Sequence, residues 1–88
     1  MWAFDTQAAD PQAGKALYNR QCANCHGSNG MPQLPGLPDF TRSEGLLRAD
    51  TELKSAIQAG KGMMPAFRGL LTETQILDVI AYLRTLHR

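Results

Sequence analysis

No stretch of this sequence approaches the ~18 consecutive apolar residues of a membrane-spanning helix, and no secretory signal is visible in Met1–Ala9. Charge of one sign is also missing, because nine Lys and Arg against eight Asp and Glu leave a formal charge of +1. The basic residues are spread from Lys15 to Arg88, so the chain has no basic stripe of the kind that nucleic-acid binding needs. Strand-like alternation, internal repeats and low-complexity tracts are absent, which leaves helix as the regular structure the pattern supports. Cysteine is scarce: Cys22 and Cys25 are the two copies, too few for a disulfide framework.

What is present fits one small domain. Apolar residues make up 43% of the 88 and charged residues 19%, ordinary for a globular protein and unlike a disordered tail. A domain of this size buries only roughly 60 to 65% of its unfolded surface, so an internal staple such as a metal or cofactor is worth looking for. Met1–Ala9 contains Trp2 and Phe4 but no periodicity and reads as a lead-in or linker, with the domain proper at residues 10–88.

Asp10 before Pro11 predicts a helix start, since Asp accepts from an orphan N–H and Pro at the first helical position needs no acceptor. This helix is expected to run to about Cys25. Gly27, Gly30, Pro32, Pro35, Gly36 and Pro38 then forbid regular structure as far as Asp39. Loops of that length usually cover something or carry function. A short helical turn is expected around Ser43–Leu47, and Asp50 or Thr51 is expected to cap a second helix with Leu53, Ala56 and Ile57 on one face, stopped at Gly60. After "GKGMMPAF", Thr72 and Gln75 form a capping box for a last helix whose Ile76, Val79, Ile80 and Leu83 share a face. The expected class is all-α, three main helices with two long loops.

Within "CANCH", Cys22, Cys25 and His26 stand at i, i+3 and i+4, which on a helix project from one face. A thiol–disulfide centre normally sits at a helix start after a strand, and no strand is predicted. Structural zinc needs four ligands, and His87 alone is left among the usual Cys and His types. A disulfide across so short a loop gains little, and an unmodified pair beside a surface histidine leaves the motif unexplained. The reading that uses all three residues is covalent haem attachment: CxxCH supplies two thiols for thioether bonds to the vinyl groups and a proximal imidazole for the iron.

A Met thioether opposite the imidazole completes a low-spin electron-transfer site. Met1 is terminal, and Met31 follows His26 too closely to cross to the opposite face of a macrocycle. Met63 and Met64 lie in an interhelical loop, and Met64 precedes Pro65, which holds it extended. His87, at the end of the last helix, is the rival ligand and reads as solvated.

"GKALYNRQCANCHG" followed by "GKGMMPAFRGLLTETQILDVIAYL" resembles a class I monohaem c-type cytochrome of the small bacterial kind, over nearly all of Asp10–Leu86. The resemblance implies the cytochrome c fold, its helices and loops wrapped around one haem c bound through Cys22 and Cys25. The family's Met-Pro-x-Phe loop falls on Met64, Pro65 and Phe67 and implies Met64 as axial ligand. It also implies a close crossing of the first and last helices, with which Gly14 is consistent and where Tyr18 would pack near Val79 and Tyr82. A proline carbonyl is implied as acceptor for the proximal His N–H; Pro38, with Phe40 after it, fits best, and Pro35 is nearly as good. Leu34, Leu37, Phe40, Leu46, Leu47, Ile57, Phe67 and Leu71 would then line the haem pocket.

The function this implies is one-electron transfer between a protein donor and acceptor, with no substrate pocket and no enzymatic turnover. Two other classes stay in view: a haem enzyme or gas sensor with a labile Met64 bond, and an electron-input domain of a larger oxidoreductase. Residues 54–88 carry five basic and two acidic groups, and Lys61 and Arg68 flank Met64, so an acidic partner is expected. By family analogy the location is periplasmic.

Overall fold

The computed structural model describes residues 9–27, 29–33, 36–62 and 64–87. The expectations for the lead-in with Trp2 and Phe4, and for Leu34, Pro35 and Met63, lie outside the described residues. Among the described residues there are four α-helices: α1 (Pro11–Gln21), α2 (Ala23–His26), α3 (Asp50–Ala59) and α4 (Glu73–Leu83). A 3₁₀ turn covers Phe40–Arg42. Among the described residues there is no strand, and the extended segments make two isolated bridges, Lys61 with Met64 and Arg68 with Leu71.

The first and last helices start as their sequences require. The Asp10 carboxylate accepts from the Gln12 and Ala13 N–H groups with Pro11 at the first helical position. Thr72 Oγ1 accepts from Gln75 N while Gln75 Oε1 accepts from Thr72 N, closing both halves of the capping box. The two helices cross at Gly14. A Cβ there would sit 1.9 Å from the Asp78 carbonyl oxygen, so only glycine permits this approach. Beside the crossing the buried Asp78 carboxylate accepts from Asp10 N at 2.8 Å, tying α4 to the start of α1.

Three expectations are corrected. The first helix does not run to Cys25: it ends at Gln21, and Cys22 (φ −122°, ψ −28°) breaks the axis before α2. The break brings the His26 and Gly27 carbonyls back to Tyr18, whose hydroxyl donates to both. In a straight helix His26 would lie about 12 Å along the axis from Tyr18, beyond a phenol's reach. The turn expected at Ser43–Leu47 forms earlier, at Phe40–Arg42, because Asp39 accepts from Thr41 N and Thr41 Oγ1, and Ser43 at φ 60° stops it. The N-cap of the second long helix lies one residue before the expected pair. Ala49 is its N-cap, since Glu52 reaches back to the Ala49 N–H and the Asp50 carboxylate is engaged by Arg84.

The core lies between α1 and α4 and extends under the loops. Tyr18, Ile76 and Ile80 are fully buried, and Leu17, Val79, Tyr82 and Leu83 pack with Phe40, Leu46 and Leu53. The Tyr18 and Tyr82 rings meet as expected, their centroids 5.3 Å apart. No helix among the described residues is long and apolar enough to cross a membrane.

Candidate functional site

A cleft of about 560 Å³ opens between the helical frame and the two loops. Cys22 and His26 come to it from the α1–α2 break and Met64 from the loop after α3. The wall is apolar almost throughout: Leu37, Pro38, Phe40, Leu46, Leu53, Ile57, Phe67, Leu71, Val79 and Leu83 line it, with Arg48 and Lys61 as the two charged members. Of the pocket residues expected from sequence, Leu37, Phe40, Leu46, Ile57, Phe67 and Leu71 are thus in place. Leu47 is not: it is 92% exposed. Arg84 donates to the carbonyls on either side, Leu46 and Arg48, and the chain turns Leu46 inward and Leu47 out.

His26 is held on two sides. Its ring stacks on Phe40, centroids 5.0 Å apart and planes 28° from parallel, while its backbone carbonyl is fixed by the Tyr18 hydroxyl at 3.1 Å. Burial pulls its pKa below the ordinary histidine value, so the imidazole is neutral at neutral pH and its lone pair is free to bind a metal. Its Nδ1 is buried with no hydrogen-bond partner among the described residues, so the expected bond to the Pro38 carbonyl is not made. Pro38 contributes its side chain to the wall.

Cys22 and Cys25 are half-buried free thiols. Burial, with the neighbouring Cys25 adding to it, pushes the Cys22 thiol up to about 11. A thiol–disulfide centre needs the opposite shift, toward a reactive thiolate. Among the described residues no three His, Cys, Asp or Glu side chains gather closely enough for one metal ion. Cys22, Cys25 and His26 therefore do not share a point, and groups that meet a macrocycle at separate places have no need to.

Met64 is placed by backbone alone. Lys61 N donates to the Met64 carbonyl at 3.0 Å and Met64 N to the Lys61 carbonyl at 2.9 Å, closing a tight turn. Phe67 N and Arg68 N donate to the Ile57 and Gln58 carbonyls, fastening the loop to the end of α3. Gly60 makes the entry possible: at φ 71° and ψ 174° it occupies a region that side chains avoid, and a Cβ would lie 2.7 Å from the Met64 oxygen. The rival ligands lie elsewhere. Met31 is 46% exposed, and His87 is exposed with its Nδ1 2.9 Å from Ser43 Oγ.

The cleft fits a haem on these observations: an apolar wall, a neutral half-buried imidazole, a methionine and the Cys22 thiol reaching one space, with Cys25 next to His26 in the chain but outside the described lining. Such a donor set on a helical frame defines the c-type haem proteins. Residues 9–83 match the family described as "Cytochrome C oxidase, cbb3-type, subunit III". Cytochrome c6 of Leptolyngbya boryana is 38% identical over 78 residues, covering 84% of this chain and 89% of that protein. The Cbb3-type cytochrome c oxidase subunit FixP of Bradyrhizobium sp. (strain ORS 278) is 32% identical over 84 residues, 91% of this chain but 29% of that protein. The solved structure of cytochrome c6 from the diatom Phaeodactylum tricornutum superposes with a TM-score of 0.72 at 28% identity, covering 88% of this chain and 93% of that one. The chain belongs to the cytochrome c family, as a small class I monohaem member. It is a one-electron carrier with haem c bound through Cys22 and Cys25.

Sequence reasoning missed the Tyr18 hydroxyl, the Phe40–His26 stack and Arg84. Tyr18 alone left a signal, since a tyrosine on a buried face usually needs a partner for its hydroxyl.

Proposed function

We propose that His26 and Met64 are the two axial iron ligands, and that the protein exchanges electrons with redox partners without changing its donor set. The observation that carries this is the meeting of Cys22, His26 and Met64 in one apolar cleft from segments of the chain far apart in sequence. When bound, the haem supplies one-electron chemistry, its iron alternating between ferric and ferrous.

The residues divide the remaining work. Phe40 holds the His26 ring plane and Tyr18 the backbone that carries it. The Lys61–Met64 turn holds the thioether, and Phe67, Leu71 and Pro38 exclude water. Two protein donors leave no coordination site for oxygen or peroxide, which separates a carrier from a haem enzyme or gas sensor. Carbon monoxide addition to the reduced protein at neutral pH tests the ligation. No binding, together with a sulfur-to-iron band in the near-infrared spectrum of the ferric form, is expected; tight binding would remove Met64 as ligand.

The partner surface is read as mildly basic. Arg48 and Lys61 line the cleft with no acidic residue among its described lining, and Lys61 and Arg68 are exposed and outside the described ion pairs. An acidic partner would be steered to this rim, and its electron-transfer rate would fall with ionic strength. Periplasmic residence is part of the same reading, because haem of this type is attached outside the cytoplasm in the family.

A second reading, an electron-input domain of a larger oxidoreductase, is favoured by the family description and by the alignment with part of FixP. The chemistry at the cleft is the same; covalent attachment of the partner is what differs.

A further inference from the structure

Arg84, the residue that ends α4, commits its whole guanidinium to one loop. Nη1 donates to the Leu46 carbonyl at 2.7 Å, Nη2 to the Arg48 carbonyl at 3.0 Å and to Asp50 Oδ1 at 2.6 Å, and Nε to the same carboxylate oxygen at 3.2 Å. Leu46 and Arg48 line the cleft, and Asp50 is the first residue of α3, whose Leu53, Ala56 and Ile57 continue the same wall. Another part of that wall is Val79 and Leu83, on the helix that Arg84 terminates. Arg84 is not itself in the lining. It sits where two parts of the wall meet and acts through the backbone of one of them.

The exposed pair with Asp50 is by itself a weak contact, since the side chains are 38% and 59% exposed. The carbonyl bonds matter more, because they settle which way the Leu46–Arg48 backbone faces. A planar guanidinium can meet all three acceptors at once, whereas an ammonium on a flexible stem cannot.

We propose that Arg84 is a positioning residue for electron transfer: by locking the Leu46–Asp50 loop to the end of α4, it keeps the cleft wall closed to water and holds the reduction potential up. The proposal rests on the haem reading above. Burial is one of the levers that set a haem's potential, and water admitted to the cleft favours the ferric form.

The test measures the reduction potential and the backbone amide exchange of holoprotein carrying Arg84→Gln, Arg84→Lys or Asp50→Asn. Arg84→Gln is expected to shift the redox equilibrium about tenfold toward ferric, about 59 mV for one electron. Exchange at Leu46–Asp50 should quicken about tenfold, with the Leu17 and Ile80 amides unchanged. Arg84→Lys keeps the charge but loses the fork, so its potential should also fall, by more than half of the Gln effect. Asp50→Asn, which spares both carbonyl bonds, should shift the equilibrium less than twofold. Arg84→Lys at the wild-type potential would overturn the proposal, and this variant carries the test if Arg84→Gln does not fold. Haem content of the wild type separates the two failures: wild type without covalent haem sinks the haem reading, whereas loaded wild type and loaded Arg84→Lys of equal potential sink the Arg84 role alone.

Discussion

The two sides of the cleft deliver their donors by different means. On the Cys22–Gly27 side, side chains from other segments do the positioning: Tyr18 holds two carbonyls, Phe40 holds a ring, and α1 breaks to let them reach. On the Lys61–Phe67 side the backbone does it, through reciprocal bonds between Lys61 and Met64, tethers to the end of α3, and a glycine in a conformation other residues avoid. The first arrangement is cooperative with the core. The second is a local device, and it can be damaged with the helical frame left intact.

That contrast orders the expected effects of mutation. On the proposed ligation, Met64→Ala removes one of the two iron donors altogether. It is expected to abolish the near-infrared band, open the reduced iron to carbon monoxide and lower the potential by at least about 120 mV, two decades of redox equilibrium at about 59 mV each. Helix content should stay at the wild-type level.

Gly60→Ala attacks the backbone that presents Met64. A side chain at φ 71° and ψ 174° is strained by about 1–3 kcal/mol, and its contact with the Met64 carbonyl adds to this. Denaturant unfolding should show a loss of about 3 kcal/mol together with a weakened near-infrared band. A variant as stable as the wild type would show that the turn is softer than its bonding indicates.

Tyr18→Phe tests the other side. Deleting the hydroxyl removes the side-chain donor to the His26 carbonyl and leaves the Gly27 carbonyl with the Gly30 N–H alone, at a cost of about 1–2 kcal/mol, with the near-infrared band retained. Loss of that band would mean that the two sides are coupled. Leu47→Ser is expected to change stability by less than about 0.5 kcal/mol and the potential not at all, because the side chain is exposed.

Residues whose role is local were legible in the sequence. Asp10, Thr72 and Gln75 cap their own helices, so neighbours in the chain declare what each does, and the glycines and Pro65 around Met64 mark the loop that brings it to the cleft. Cys22, Cys25 and His26 were legible because the spacing of the motif is itself the chemistry. Gly14 was legible as a crossing point through the resemblance, and the Asp78 carbonyl beside it gives the physical reason. What escaped depends on contacts across the fold. The break at Cys22 accompanies a hydroxyl bond from the preceding helix, and the outward turn of Leu47 is set by an arginine 37 positions later. A leucine beside a leucine gives no sign of which one faces in.

Everything else at the site depends on one feature, the attachment of haem by thioether bonds from Cys22 and Cys25. Its most direct test is the pyridine haemochrome spectrum of the matured protein after acid–acetone extraction. The haem is expected to stay with the polypeptide and to give the spectrum of a porphyrin with both vinyl groups saturated. Haem that passes into the solvent, or folded protein that never held any, would contradict it.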